Sequence, residues 1–429
     1  MNNIINIVAV AFLLYAMIKD MKKGCLIYIL LVYLCPVFIV GSSRLSFDII
    51  TFPLLFAVYL LNSKFKIIIC NRLKELFLYL FVYCILTFLT GIVYKGDFSI
   101  ITAYAIFRFI ITVLIIMNVW AADIIKNFDK AMSIIMSVEF VCSITQMMNI
   151  VDVRIFYNLY YKESLAPLAG QLKMGYFNRA YGTTGSPIIL GGMAALAFTF
   201  YLHAYLTHVQ NVSFPLPKLI ISVLCGLLAL SKTAIISIPI ATIVILVINI
   251  NKIGVRTFFK VIGFLGCIII FVLGVSNWLS SQGFAVKYYL SFLSNPFSAL
   301  NTRYGSGSGN LTYAINTIKD NPIIGVGNAK LNNSFVGDSV YIVLLYETGI
   351  VGFFAYFLSY IRAFIINIKK RNKLSIVLFI VFALISFGNA LQVSYYIILY
   401  VAVIFYEASY GNKCETETRE NYYEKNNMF

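Results

Sequence analysis

Near the C-terminus a polar loop ending in Asp338 runs straight into an apolar stretch that carries Glu347 in its interior. A carboxylate inside an apolar span is expensive, so its presence marks a functional site by default. Two roles suit Asp338: a base toward a hydroxyl group, or a helix-start cap on the amides of Tyr341 or Ile342. Glu347 points to the opposite side of the same helix, as a packing or relay residue. Arg108 sits in the middle of another apolar run, far from either end. Its expected partner is Glu139 or Glu347, in a buried ion pair that fixes helix packing or in a ligand contact. Further cations gather in two long polar stretches. The first carries Arg154, Lys162, Lys173 and Arg179; the second carries Lys287, Arg303, Lys319 and Lys330.

These residues must be positioned by membrane helices. Hydrophobic residues make up 61% of the 429-residue chain, charged residues only 12%, and mean hydropathy is +0.88. A soluble domain is about 25% charged. A span needs about 20 apolar residues. The expected fold is therefore all-α, a polytopic transmembrane bundle of about 12–13 spans. The spans fall at 3–18, 24–41, 49–62, 76–94, 100–120, 131–150, 187–206, 216–230, 233–250, 258–275, 338–361, 374–389 and 391–409. The first run lacks the basic start and small-residue cleavage site of a signal peptide.

The +16 net charge suggests nucleic acid, but its distribution excludes that reading. Lys19, Lys22 and Lys23 follow the first run, and Lys64, Lys66, Arg72 and Lys74 the third. Lys252, Arg256 and Lys260 form another cluster, and Arg362, Lys369, Lys370, Arg371 and Lys373 a last one. Recurrence at every second loop is the positive-inside pattern. It places the N-terminus outside, the tail Gly411–Phe429 in the cytoplasm, and the long loops 151–187 and 276–337 on the outer face. Positive charge there runs against the trend and points to an anionic ligand, although long loops also translocate regardless of charge.

The second loop has its own features. Phe284, Tyr288, Tyr289, Phe292 and Phe297 crowd around Lys287, as in a segment lying among headgroups. Gly305–Gly309 reads as a hinge, and Asn310–Lys319 as a short helix stopped by Asn321-Pro322. The eight cysteines all fall in spans or on the cytoplasmic side, with no metal-site spacing. His203 and His208 lie toward the inner end of their span. Gly325-Val-Gly327 follows no strand and is not a nucleotide loop. No cofactor is expected. The chain divides into N-terminal spans (1–150), a central transmembrane region with the two long loops (151–360), which the resemblance described next implies is catalytic, and C-terminal spans with a tail (361–429).

Four ordered segments resemble the O-antigen polymerase and ligase superfamily, the Wzy-type integral membrane glycosyltransferases. The first is Asn178-Arg179-Ala-Tyr-Gly182-Thr-Thr-Gly185-Ser-Pro187. The second is Ser231-Lys232 at the tip of a tight helix pair, where the family has Ser-Arg. The third is Arg303 followed by Ala314–Lys319 and Asn321-Pro322-Ile-Ile-Gly325-Val-Gly327. The fourth runs from Asp338-Ser339-Val-Tyr341 to Gly349-Ile-Val-Gly352. The match covers roughly residues 175–360; the first 150 residues match only as generic spans.

The resemblance implies transfer of a glycan from an undecaprenyl-pyrophosphate carrier to a hydroxyl of a second lipid-linked oligosaccharide, without nucleotide sugar or metal. In that scheme Arg179, Lys232 and Arg303 offset the charge of the leaving pyrophosphate. Asp338 is the candidate base, and Arg108, Tyr341, Glu347 and Lys319 are candidate substrate contacts. Two departures matter. Lys232 keeps the charge of arginine but lacks its bidentate fork. Asp338 stands where the ligases have a histidine, which favours a polymerase over a ligase. The implied partners are membrane lipid, the lipid-linked oligosaccharides, and a chain-length regulator and flippase of the same pathway. A non-enzymatic flippase is the alternative from another class. It would be expected to show internal repeats and deep intramembrane charges; the sequence shows no repeat, and its intramembrane charge is sparse.

Overall fold

The computed structural model describes residues 2–41, 43–65, 67–94, 100–160, 175, 177–209, 211–251, scattered positions between 253 and 274, 311–328, 336, 337, 339–389 and 394–410. Most of the expected span 258–275, the aromatic and glycine-rich stretch 276–310 and the tail 411–429 lie outside the described residues. So do Lys162, Lys173, Lys287, Arg303, Lys330 and Asp338.

The chain is mostly helical, and among the described residues five helices are long and apolar enough to cross a membrane. These are α1 (Asn2–Lys19), α4 (Asn71–Tyr94), α5 (Ile100–Trp120), α8 (Pro187–Thr207) and α12 (Val340–Lys369). Shorter apolar helices stand among them: α3 (Phe47–Asn62), α9 (Pro215–Leu228), α10 (Lys232–Ile248), α13 (Lys373–Ile385) and α14 (Ile398–Tyr410). The described residues also form α2 (Met21–Leu34), α6 (Ile124–Met147), α7 (Val153–Tyr160) and α11 (Thr312–Asp320). Long apolar helices of this kind fit a membrane-embedded protein.

Two expected spans are corrected. The run 24–41 is helical only to Leu34, because the residue before a proline is pushed out of the α region. Cys35 is extended before Pro36, and a two-stranded ribbon follows, β1 (Phe38–Val40) against β2 (Ser43–Leu45). The run 338–361 is longer than expected, and its backbone breaks at Gly349, where φ is 59° and ψ −163°.

Helix α8 is the axis of one half of the bundle and is buried around nearly its whole circumference. Its Gly191, Gly192, Ala194, Ala195 and Ala197 let α9, α10 and α13 approach closely. Small residues do this where lipid supplies no hydrophobic drive between helices. Helix α12 lies mainly against α4, with α13 and α14 behind it. The basic clusters and their acids gather at one end of the bundle: Lys22–Asp123 (3.4 Å), Lys218–Asp129 (2.7 Å), and Glu75 between Arg72 (3.0 Å) and Arg362 (2.7 Å). The opposite end holds the ribbon, α7 and the motif segments. There Val37 N–H donates to Leu159 O at 2.8 Å, and Arg44 Nη1 to Tyr157 O at 2.9 Å.

Candidate functional site

The segment 177–186 is not a surface loop. It folds into the bundle between α6 and α8, and Phe177, Ala180 and Tyr181 are fully buried. A buried turn must find partners for its backbone, and α6 supplies them along one stripe. Asn149 Oδ1, just past the helix, accepts from Phe177 N–H at 3.1 Å. Gln146 Oε1 accepts from Tyr181 N–H (2.8 Å) and Gly182 N–H (3.0 Å), and Gln146 Nε2 donates to Gly182 O (3.1 Å). Glu139, with no exposed surface, accepts from Thr183 N–H at 2.8 Å and from the Thr183 hydroxyl. Gly182 has φ +58°, and the space a Cβ would fill is taken by the Glu139 carboxylate, so only glycine fits.

Arg179 rides on this turn, half-buried, with its guanidinium 5.9 Å from the Tyr181 ring. Burial pushes the Tyr181 phenol up from its ordinary value, and the neighbouring Arg179 works against that rise.

The turn is tied directly to the second motif. Ala180 N–H donates to Leu228 O at 2.9 Å, at the end of α9. Leu230 then takes a left-handed conformation (φ 45°), and Ser231-Lys232 begins α10. The start of α12 reaches the same neighbourhood through the turn after α13. Val340 N–H donates to Ser386 O at 2.9 Å, and a Cβ on Gly388 would stand 2.7 Å from Thr233 Oγ1. Asp338 itself is outside the described residues, but its neighbour Ser339 is fully buried at this junction.

The third and fourth motifs also meet. The strap Pro322–Gly327 lies across the break in α12 and occupies backbone groups that the break frees. Val326 N–H donates to Tyr346 O (2.8 Å) and Gly327 N–H to Glu347 O (3.0 Å); Ile350 N–H donates to Pro322 O (2.9 Å) and Val351 N–H to Ile323 O (3.2 Å). Irregular backbone at membrane depth survives only where protein satisfies it in this way. The strap ends on α4 and α5, where Asn328 Nδ2 donates to Thr102 Oγ1 at 2.7 Å. Glu347 is buried at the break, within electrostatic reach of the Tyr79 and Tyr83 hydroxyls of α4.

The expected partners of Arg108 are corrected. Its guanidinium pairs with Asp48 at 3.0 Å, in the first turn of α3, and not with Glu139 or Glu347. Glu139 holds the buried turn and Glu347 sits in α12 against α4, while α3 packs beside α5. Tyr341 hydrogen-bonds Ala383 O (2.8 Å) and stacks on Phe357, which commits it to the α12–α13 contact. Lys319 is exposed in the last turn of α11, where a cation favours the helix dipole.

Arg179 and Lys232 are thus carried by elements that touch, whereas Arg108 belongs to a separate ion pair. Sequence reasoning missed Asp48, the turn Ser386–Asn389, and the α6 stripe of Glu139, Ser143 and Gln146. The stripe had a signal: polar residues at i, i+4 and i+7 on an apolar helix share one face. Among the described residues no three His, Cys, Asp or Glu side chains come together to hold a metal ion. No protein-family model matches the chain, and no curated protein matches it significantly.

Proposed function

We propose that the protein is a polysaccharide polymerase of the bacterial cytoplasmic membrane. It joins undecaprenyl-pyrophosphate-linked repeat units on the outer face, through about 12–13 spans and two long extracytoplasmic loops. The observation that carries the reading is the joining of separated motif segments at the end of the bundle opposite the basic clusters. Ala180 is hydrogen-bonded to the helix pair that presents Lys232, and the turn after α13 links that helix pair to the start of α12. The positive-inside rule makes this the outer end.

In this mechanism the acceptor hydroxyl oxygen bonds to the anomeric carbon as the bond from that carbon to the diphosphate oxygen breaks. The electron pair leaves with undecaprenyl diphosphate, whose charge Arg179, Lys232 and Arg303 offset. The hydroxyl proton passes to Asp338. The absence of the ligase histidine at position 338 favours chain growth over transfer to a final carrier.

Deleting the gene tests the reading. Surface glycan should appear as single repeat units in place of a long-chain ladder. Loss of all surface glycan, with lipid-linked units held on the inner leaflet, would identify a flippase instead. Single units that never reach their final carrier would identify a ligase. Orientation is checked separately. Cysteines placed at Gly170 and Gly307 should react with an impermeant maleimide in intact cells, and one at Asn372 should not; the reverse pattern would put the site on the wrong side.

A further inference from the structure

A cavity of about 270 Å³ opens at the basic end of the bundle, opposite the motif segments. Ile68 and Ile69, in the connection between α3 and α4, form one wall. Asn118 Nδ2 of α5 donates to Ile68 O at 3.0 Å and fixes that stretch. Asn71 and Arg72 contribute the start of α4, Ile366 comes from α12, and Ser409 from the last turn of α14. The end of α14 is held in turn by α12, because Lys370 Nζ donates to Ala408 O at 2.9 Å. The cavity is therefore set in a fixed frame, with one apolar side and one polar side.

The polar side carries an excess of positive charge. Glu75 stands between two arginines. Its Oε1 accepts from Arg362 Nη1 at 2.7 Å, and its Oε2 lies 3.0 Å from Arg72 Nη1. The second contact is an ion pair without a hydrogen bond: Arg72 Nη1 and Glu75 Oε2 are both shut off from solvent, and neither makes one. The Arg72 side chain is only 11% exposed. A guanidinium so buried ordinarily has acceptors for its donors. One carboxylate against two guanidiniums leaves a net positive charge beside the cavity. The start of α4 adds to it, since its first turn holds no acidic residue and its first amides carry the positive end of the helix dipole.

The apolar side indicates what the missing anion is attached to. Ile68 and Ile69 are exposed, and α12 continues the apolar surface with exposed Ile361, Ile365 and Ile368. A free ion would leave that wall uncovered, whereas a phosphodiester carrying glycerol and acyl chains covers it. The positive-inside rule places this end among the headgroups of the inner leaflet. Basic pockets between spans on that side suit acidic lipid headgroups.

We propose that this cavity binds the headgroup of one anionic phospholipid of the inner leaflet. Arg72 holds the phosphodiester, and Ile68, Ile69 and Ile366 lie against the glycerol and the first acyl carbons. The lipid joins α4, α12 and α14 at their cytoplasmic ends. The site stands apart from the glycan chemistry and does not rest on the polymerase reading.

Native mass spectrometry of the full-length protein in neutral detergent tests the proposal, with phosphatidylglycerol and phosphatidylcholine titrated separately. Phosphatidylglycerol should bind more tightly. Loss of a hydrogen bond to a charged group lowers affinity about 10-fold. Arg72→Ala should lose about that much for phosphatidylglycerol and little for phosphatidylcholine. Asn71→Glu should weaken phosphatidylglycerol as well while keeping its thermal midpoint, because residue 71 is exposed and an acid at a helix start is favourable. Lys23→Ala, which removes an exposed cation outside the cavity, should leave the affinity unchanged. Wild-type affinity in both Arg72→Ala and Asn71→Glu would overturn the site. An equal loss in Lys23→Ala would do so too, by showing diffuse attraction to the basic end. Equal binding of phosphatidylcholine would remove the role of the anionic headgroup. Displacement of phosphatidylglycerol by millimolar inorganic phosphate would make the ligand a free ion and overturn the lipid assignment.

Discussion

A side chain on Gly325 would stand 2.7 Å from the backbone nitrogen of Gly349, so the strap and the broken helix touch glycine to glycine. Gly349 is itself left-handed, and the space its Cβ would need is filled by the Ile323 carbonyl. Neither backbone can retreat without giving up the four hydrogen bonds that join Pro322–Gly327 to α12.

Alanine at either glycine should therefore destabilise the protein. A non-glycine residue forced into such a conformation costs about 1–3 kcal/mol before any clash is counted. Gly325→Ala and Gly349→Ala should each lower the thermal midpoint in detergent. The double variant should cost less than the sum, because both disrupt one contact. Strict additivity, or a wild-type midpoint for Gly349→Ala, would show that the strap does not seat in the break.

The pair Arg108–Asp48 predicts a second cycle. Removing one member of a buried ion pair leaves an uncompensated charge and costs about 3–5 kcal/mol. Arg108→Ala and Asp48→Ala should each reduce the level of folded protein, and the double variant should recover part of it. Arg108→Ala combined with Glu347→Ala or Glu139→Ala should show no such recovery. Coupling to either glutamate would reassign the pair.

Chain growth should depend on the cations of the proposed site. Loss of one preorganised charge contact costs about 10²–10³ in rate. Arg179→Ala and Arg303→Ala should each abolish the glycan ladder at normal expression. Arg303→Lys should stay impaired if the guanidinium fork grips phosphate, whereas Lys232→Arg should be tolerated. A near-normal ladder from Arg303→Ala removes that residue from the pyrophosphate site.

Asp338 gives the sharpest test of the reaction step. Asparagine caps a helix about as well as aspartate but accepts no proton. Asp338→Asn should lose chain growth while membrane-inserted protein stays constant. Glycan length is normalised to that protein level. A full ladder in the asparagine variant, with loss of protein only in Asp338→Leu, would make the residue a cap.

The linear chain carried the helical, membrane-embedded character of the protein and the segregation of its basic clusters. Apolar runs near span length can satisfy their own backbone only as helices in lipid. Short-range rules also carried the stop of α11 at Asn321-Pro322. What tertiary structure decided was which polar groups meet. Asp48 and Arg108 are 60 residues apart in the chain yet 3.0 Å apart in the fold, and Glu139 reaches Thr183 across 44 residues. No periodicity encodes such pairs, because they depend on which helix faces come to oppose one another. The break at Gly349 is of the same kind. An unpaired turn of helix is unaffordable in an apolar setting, so the break exists only because a strap from a distant segment arrives to satisfy it. Ser231 and Asn389 likewise reach α8 only because the adjacent Gly191 and Gly192 leave room for them.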